Sequence, residues 1–574
     1  MSHDASTVPP NIPLVVQLGF AGARFLLGKN EQPGVDEAEF LAQVEEHLCG
    51  VLRTLPGTLG LSGMHFLCGI SQIAIGADTV FTRACAKLEI TQRIFLPEHR
   101  DAFFAAQSAS GERDFTAAQA DAARVLLDSP RIIEERVVSN ALDRNDRFED
   151  ANSEIVRVSD VCIALLREDG EDGRGGTRDL IGCAANRHRP LLEITVSIRD
   201  GRAQFREEWH WNKATVPHEE SFRQKLRRWF GAAERKDERR FHPPALPAVL
   251  DGCRLAEGGD YSDTVRRYSG GKAARHRWFF MWAAFIIIGT HVAATALSVS
   301  VLAFLHDAGV HHAEADRAGR WLLGIELLLL AVGLGCHVML HHFHAARKWA
   351  ITRLVAEAAR SVSYMDGVPG YLGHFFILQF PDFLRPLLRT LNISHLRGSG
   401  RRAHADWKKR RDAYIEKRLT HLLHGQIPYY TRRRTMARIW LLVASLAFYS
   451  GSATALAATF IEVAHKCDPT FSRFPCRVAG WMVVHAHVLE QWPAFLAILL
   501  PVVSVAALSL AASFDIEARV RTYSEMLSVL TEQRDLIAQA KSEHEFSRLV
   551  LQTETRLVGE NVNWFSRRSY TGVA

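Results

Sequence analysis

Val161-Cys-Ile-Ala-Leu-Leu166 runs into the loop Asp169-Gly-Glu-Asp-Gly-Arg-Gly175-Gly176-Thr177, and a helical pattern opens near Arg178. An apolar run too short for a helix, then a glycine-rich turn, then a helix start reads as a strand handing a loop to a helix N-terminus. The same grammar recurs upstream. Leu14-Val-Val-Gln-Leu18 is an apolar strand ending at Gly19 and Gly22, and residues 36–55 form an amphipathic helix. His65-Phe-Leu-Cys68 is a second strand, followed by Gly69-Ile-Ser-Gln-Ile-Ala-Ile-Gly76-Ala-Asp78 and a helix from Thr79 to about Leu88. Arg93-Ile-Phe-Leu96 is a third strand, residues 115–127 and 143–158 are helical, and Leu191-Leu-Glu-Ile-Thr-Val196 is a fifth strand after the one at 161–166. Short apolar strands separated by helices predict an α/β, Rossmann-like parallel sheet over residues 12–200, behind a disordered stretch at 1–11.

Such sheets bind ligands beyond the carboxyl ends of their strands, where the three glycine-bearing loops fall. Glycines let a phosphate approach backbone N–H groups, and a helix N-terminus adds favourable partial charge. Gly69, Gly76, Asp78, Gly175, Gly176 and Thr177 are the candidate ligand cradle. Gly175-Gly176-Thr177 alone is equally a turn with a threonine N-cap. Asp78 either hydrogen-bonds a ribose or caps the helix that follows it.

The rest of the chain is of another kind. Over all 574 residues, 48% are hydrophobic and 23% charged, and the mean hydropathy of −0.04 averages a polar half with an apolar one. A net charge of +6 over this length does not argue for nucleic acid, and nine cysteines without a C-x-x-C exclude a disulfide scaffold and a zinc ribbon. Four runs are long enough to cross a bilayer, which takes about 20 apolar residues: 278–305, 321–340, 439–461 and 492–514. Lys and Arg crowd the ends at Arg266, Arg267, Lys272, Arg347, Lys348, Arg432–Arg434, Arg438, Arg519 and Arg521, and are sparse in the loops 306–320 and 462–491. The positive-inside rule then places both termini and the 341–438 segment in the cytoplasm of a multi-pass inner-membrane protein. Trp278, Trp321, Trp440 and Trp492 stand at span ends. No signal peptide is read at the N-terminus. Cys467 and Cys476 are the cysteine pair of the outer side and can form a disulfide there.

The membrane half reads as a unit used twice: a hairpin of spans, then a cytoplasmic helix. This gives a first hairpin with its helix over 278–366, a basic connector over 367–438, and a second hairpin with a C-terminal helix over 439–574; residues 201–277 are a Trp- and Arg-rich linker or docking segment. Pairing Glu357 with Glu525 also pairs Arg353 with Arg521. Ile351, Leu354, Val355, Ala358, Val362 and Met365, and then Val520, Tyr523, Leu527, Leu530 and Ile537, recur at helical spacing, either for packing within the chain or for a homo-oligomer stalk. The basic stretch 401–438 suits anionic lipid. Glu326 is the one acid inside a span; about one turn in, it either faces the interface or, as is the default for an intramembrane acid, serves function. His337, His341 and His344 share a helix face but have no acidic or cysteine partner, so no metal and no cofactor is expected.

Gly69 through Asp78, the strand ending at Leu96-Pro97, and Ser159-Asp160-Val161 leading to Gly175-Gly176-Thr177-Arg178-Asp179 resemble, in that order, the SLOG superfamily of nucleotide hydrolases, DNA-uptake proteins and conflict-system sensors. Gly22-Ala23-Arg24 resembles the Gly-His-Arg turn of some members, with alanine in the histidine position and Phe25 where an acid is usual, which adds Gly22 and Arg24 to the candidate site, with Ser71 in the second loop. The membrane half resembles the SLATT domains that accompany SLOG domains, down to a late Glu560-x-x-x-Trp564. The resemblance implies a cytoplasmic nucleotide sensor that gates membrane perturbation or a pore in antiphage defence. Alternatively it implies a membrane-tethered nucleotide N-glycosidase or phosphoribohydrolase. The hydrolases' Gly-Gly-x-Gly-Thr-x-x-Glu loop lacks its middle glycine here, and Asp179 stands near, not on, the catalytic acid's position. The reading therefore favours binding over catalysis.

Overall fold

Strand β1 (Leu14–Gly22) is buried along its whole length, as the central strand of a two-faced sheet must be. The computed structural model describes residues 12–27, 36–105, 115–168, 174–199, 202–211, 241–301, 312–365, 368–370, 372–399, 406–467 and 486–570. Residues 1–11, the loop residues 169–173, Trp229, Arg401, Arg402 and Cys476 lie outside the described residues.

After β1 come α1 (Glu37–Thr58), β2 (His65–Ser71), α2 (Ala77–Lys87), β3 (Thr91–Leu96), α3 (Arg100–Ala105), α4 (Ala117–Leu127), β4 (Ile132–Val137), α5 (Arg144–Val158), β5 (Val161–Arg167), α6 (Thr177–Asn186), β6 (Leu191–Arg199) and β7 (Arg202–His210). The seven strands run in the order β4-β3-β2-β1-β5-β6-β7. All neighbours are parallel except β6 and β7. The expected α/β sheet is present, with two strands beyond the five read from sequence. β4 (Ile-Ile-Glu-Glu-Arg-Val) looks polar because Glu134 forms a buried ion pair with Arg93 of β3 at 2.5 Å. β7 alternates charged and apolar residues as an antiparallel edge does, and extends the sheet into the segment read as a linker.

Residues 366–376 and 380–404 group with the sheet rather than with the helices on either side of them in sequence. The longer helices that follow the sheet are α7 (Tyr261–Ser300), α8 (His312–His342), α9 (Ala345–Tyr364), α10 (Arg385–Ser399), α11 (Trp407–Tyr414), α12 (Gln426–Cys467), α13 (Ala486–Ser513), α14 (Ile516–Gln539) and α15 (Glu543–Tyr570). β1 reaches past the start of β5, which pairs with it only from Leu18 onward. α10 and Asp160 serve that uncovered stretch. Thr390 Oγ1 accepts from the Val15 N–H at 3.1 Å, Asp160 Oδ2 accepts from the Gln17 N–H at 3.0 Å, and Arg389 pairs with Asp160. Ile393 and Leu396 close a small core with Val15 and Cys68.

The second unit is all helical. Four helices are long and apolar enough to cross a membrane, lying within Tyr261–Ser300, Gly319–His342, Gln426–Phe460 and Phe495–Gln539. Only 6–17% of their apolar windows is buried in the protein, so most of that surface faces outward. A Cβ on Gly333 would stand 2.7 Å from Thr290 Oγ1, and one on Gly451 2.3 Å from Ser504 Oγ, so each hairpin has a glycine where its helices approach closely. Ser298 donates to Glu326, which gives the acid of the second long apolar helix a partner inside its own hairpin. Each hairpin passes into its following helix through a left-handed residue, His344 before α9 and Asp515 before α14. Equating those two turns sets a register three residues from the one that pairs Glu357 with Glu525. The apolar seam of α9 is buried, as are Tyr523, Leu530 and Ile537 of α14, so packing within the chain occupies these faces. Arg418, read from sequence as part of a basic stretch, is fully buried and grips Glu554 with two 2.8 Å hydrogen bonds, while the Tyr414 hydroxyl donates to the same carboxylate.

Candidate functional site

Strand order reverses between β1 and β5: the chain builds outward from β1 to β4, then crosses back to add β5 beside β1. In an open α/β sheet such a reversal is where a ligand-binding crevice forms at the carboxyl ends of the strands. Gly22, Ala23 and Arg24 leave β1 there, and the loop after β5 returns there as Gly175-Gly176-Thr177 at the start of α6.

The glycines let the loops meet. Gly76 has φ +81°, and a Cβ on it would lie 2.2 Å from the Arg24 carbonyl oxygen; the Ala77 N–H donates to the Ala23 carbonyl at 3.1 Å. The turn after β1 and the start of α2 are thus pinned together. Gly175 has φ +80° and would press a Cβ to 2.7 Å from Phe148 Cβ, which seats the β5 loop on α5. Asn152 of α5 ties the pieces: its amide donates to the Gly175 and Gly176 carbonyls at 3.1 and 3.0 Å and accepts from Gln72 Nε2 at 2.8 Å. Between Gln72 and Gly76, buried Ile73 takes φ +59°. A β-branched residue adopts that conformation only under constraint from its surroundings, and such strain clusters at binding sites.

The chemistry is mixed in charge. Gly76 and Gly176 are the N-caps of α2 and α6, and neither helix has a side-chain cap hydrogen bond. Asp78 therefore does not act as the cap. It is buried in the first turn of α2, and its Oδ1 has no hydrogen-bond partner among the described residues. Burial pushes its carboxyl well above the usual range, with Arg24 pulling the other way. The Arg24 and Arg144 guanidiniums lie 4.6 and 5.6 Å from the centre of the same Phe148 ring. Burial and then Arg24 lower the Arg144 pKa from its ordinary value. Two like charges on one ring beside an uncapped helix N-terminus favour an anion, and the Asp78 carboxyl beside them favours a hydroxyl or amine on the same molecule.

Of the sequence-derived residues, Gly22, Arg24, Gly76, Asp78, Gly175, Gly176 and Thr177 belong to these converging loops. Gly69 and Ser71 are in β2 and face α2: Gly69 packs under Phe81 and Cys85, and Ser71 lies 3.4 Å from the Thr82 hydroxyl. Asp179 turns back on its own loop and accepts from the Gly175 N–H. Arg144, Phe148 and Asn152 were missed. Their spacing of four along one helix face, with an asparagine in an otherwise apolar stripe, was the available signal. No protein-family model and no curated protein matches the chain.

Proposed function

We propose that the chain is an integral membrane effector whose α/β unit binds a nucleotide-derived ligand and thereby gates membrane perturbation by the helical unit. The observation that carries this reading is the convergence, at the β1/β5 reversal, of two glycine-capped helix N-termini with Arg24, Arg144 and the unpartnered Asp78 carboxyl. Phosphate would sit at the α6 N-terminus within reach of the arginines, and a ribose hydroxyl would meet Asp78. The resemblance to SLOG and SLATT domains supports a role in bacterial antiphage defence, with both termini in the cytoplasm and a homo-oligomer in the inner membrane. Exposed basic residues of the 401–438 stretch, such as Arg432 and Arg433, would meet anionic lipid, whereas Arg418 is spent on Glu554. Asp179, engaged in holding the Gly175 turn, weighs against hydrolysis. The ligand must bind one conformation better than the other, or it shifts nothing.

The test uses purified full-length protein in liposomes loaded with a self-quenched dye, exposed to a panel of linear and cyclic nucleotides and assayed in parallel for released base. Leakage that depends on one nucleotide, without released base, is expected. Released base without leakage would overturn the effector reading in favour of a tethered hydrolase.

A further inference from the structure

A second candidate site lies in the helical unit, with no residue in common with the crevice above. A cavity of about 570 Å³ opens where α13 gives way to α14 at Phe514–Asp515. Its wall carries Arg353 of α9, Arg519 of α14, and Glu560 and Trp564 one turn apart on α15. Phe280 and Ala512 supply apolar wall at the end of the apolar stretch. Two buried polar atoms here have no hydrogen-bond partner among the described residues: Glu560 Oε2 and Trp564 Nε1. The Glu560 side chain is only 8% exposed, and its Oε2 stays 3.9 Å from the Arg353 guanidinium, beyond hydrogen-bond reach. That guanidinium stacks 4.4 Å from the centre of the Trp564 ring, and Trp349 packs edge-on against Trp564 at 5.1 Å. Trp564 is thus packed between two neighbours, while its Nε1 and the Glu560 Oε2 one turn away stay unused among the described residues. Buried groups of this kind are costly unless a ligand satisfies them.

The demands are specific. Trp564 Nε1 can only donate, so it calls for an acceptor. Glu560 Oε2 calls for a donor. Arg567 also lines the cavity, so three arginines face two carboxylates, Asp515 and Glu560, and the balance suits one negative charge. A phosphodiester next to a hydroxyl meets all three, and the apolar wall suits an attached chain. We propose that this cavity binds a hydroxyl-bearing phosphate anion, supplied by the headgroup of an anionic glycerophospholipid such as phosphatidylglycerol. Arg353 and Trp564 hold the phosphate, and Glu560 accepts from the headgroup hydroxyl. The chemistry is shared with a free glycerol phosphate, so the test separates the two sources.

Full-length protein in nonionic detergent is titrated with short-chain phosphatidylglycerol, phosphatidylcholine of the same chain length, or glycerol phosphate, and bound adducts are counted by native mass spectrometry. One saturable phosphatidylglycerol per chain is expected, with phosphatidylcholine and glycerol phosphate binding at least tenfold more weakly. Arg353→Gln is expected to weaken phosphatidylglycerol at least tenfold. Trp564→Phe keeps the ring and removes the donor, so it is expected to weaken binding severalfold with no loss of thermal stability, and it decides the matter should Arg353→Gln fail to fold. Glycerol phosphate binding as tightly as the lipid would overturn the lipid source. Unchanged phosphatidylglycerol binding in Trp564→Phe would overturn the site.

Discussion

Asp78 concentrates the chemistry of the crevice in one side chain. Unfolded, its carboxyl ionises in the ordinary range; folded, burial makes it keep its proton to higher pH, against the pull of Arg24. The native state then binds more protons than the unfolded one, so stability falls as pH rises from the ordinary carboxylate value toward the raised one. Asp78→Asn removes this dependence. It is expected to raise thermal stability at pH 7 by of order 1 kcal/mol, with the gain vanishing below about pH 4. Melting curves in detergent at the two pH values check this, and a gain that is larger at the lower pH would contradict it. A ligand that hydrogen-bonds the carboxyl would narrow the difference between variant and wild type at pH 7.

At the scale of elements, two helices carry polar groups that packing has made indispensable. Asn152 of α5 serves the loops after both β2 and β5, so Asn152→Ala strands the Gly175 and Gly176 carbonyls and the Gln72 amide. A cost of about 1–3 kcal/mol is expected, together with faster amide exchange across 174–177. Exchange unchanged in that loop would show that the asparagine does not hold it. In the helical unit, Arg418 and Glu554 are 1% and 0% exposed, so neither side chain has water as a substitute partner. Arg418→Met alone leaves a buried carboxylate and is expected to cost about 3–5 kcal/mol, whereas adding Glu554→Leu recovers most of the loss. A double variant no more stable than the single one would mean that Tyr414 and the surrounding packing, rather than the unpaired charge, set the cost.

For the whole molecule, the path of the chain matters more than any one contact. It leaves the sheet unit at Thr264, runs through the first hairpin, returns over 366–376 and 380–404, and only then enters the second hairpin. The return is structural, because α10 covers the stretch of β1 that β5 leaves open. A fragment of residues 12–264 is therefore expected to aggregate through that exposed edge. The same fragment joined to 366–404 by a flexible linker is expected to be monodisperse by size-exclusion chromatography. A soluble, folded 12–264 fragment would show the helix to be dispensable.

Elements whose signal is local were legible from residue types and spacing alone. Short apolar runs between helical patterns marked β1, β2, β3, β5 and β6, long apolar stretches marked the four long helices, and glycines next to strand ends marked the loops of the crevice. Tertiary structure decided whatever depends on a distant partner. β4 was hidden because Glu134 is neutralised by Arg93 on the neighbouring strand. β7 was hidden because an edge strand needs only one apolar face. The run containing Arg418 read as a basic stretch for anionic lipid because the acid that Arg418 pairs with lies 136 residues away at Glu554. α10 looked like a connector because the strand it completes is 375 residues upstream at Val15. Asp179 read as a candidate acid until the loop folded and gave its carboxylate to Gly175. A side chain's type and spacing limit what it can do, but whether it meets ligand, lipid or its own backbone depends on contacts that form only when the chain closes on itself.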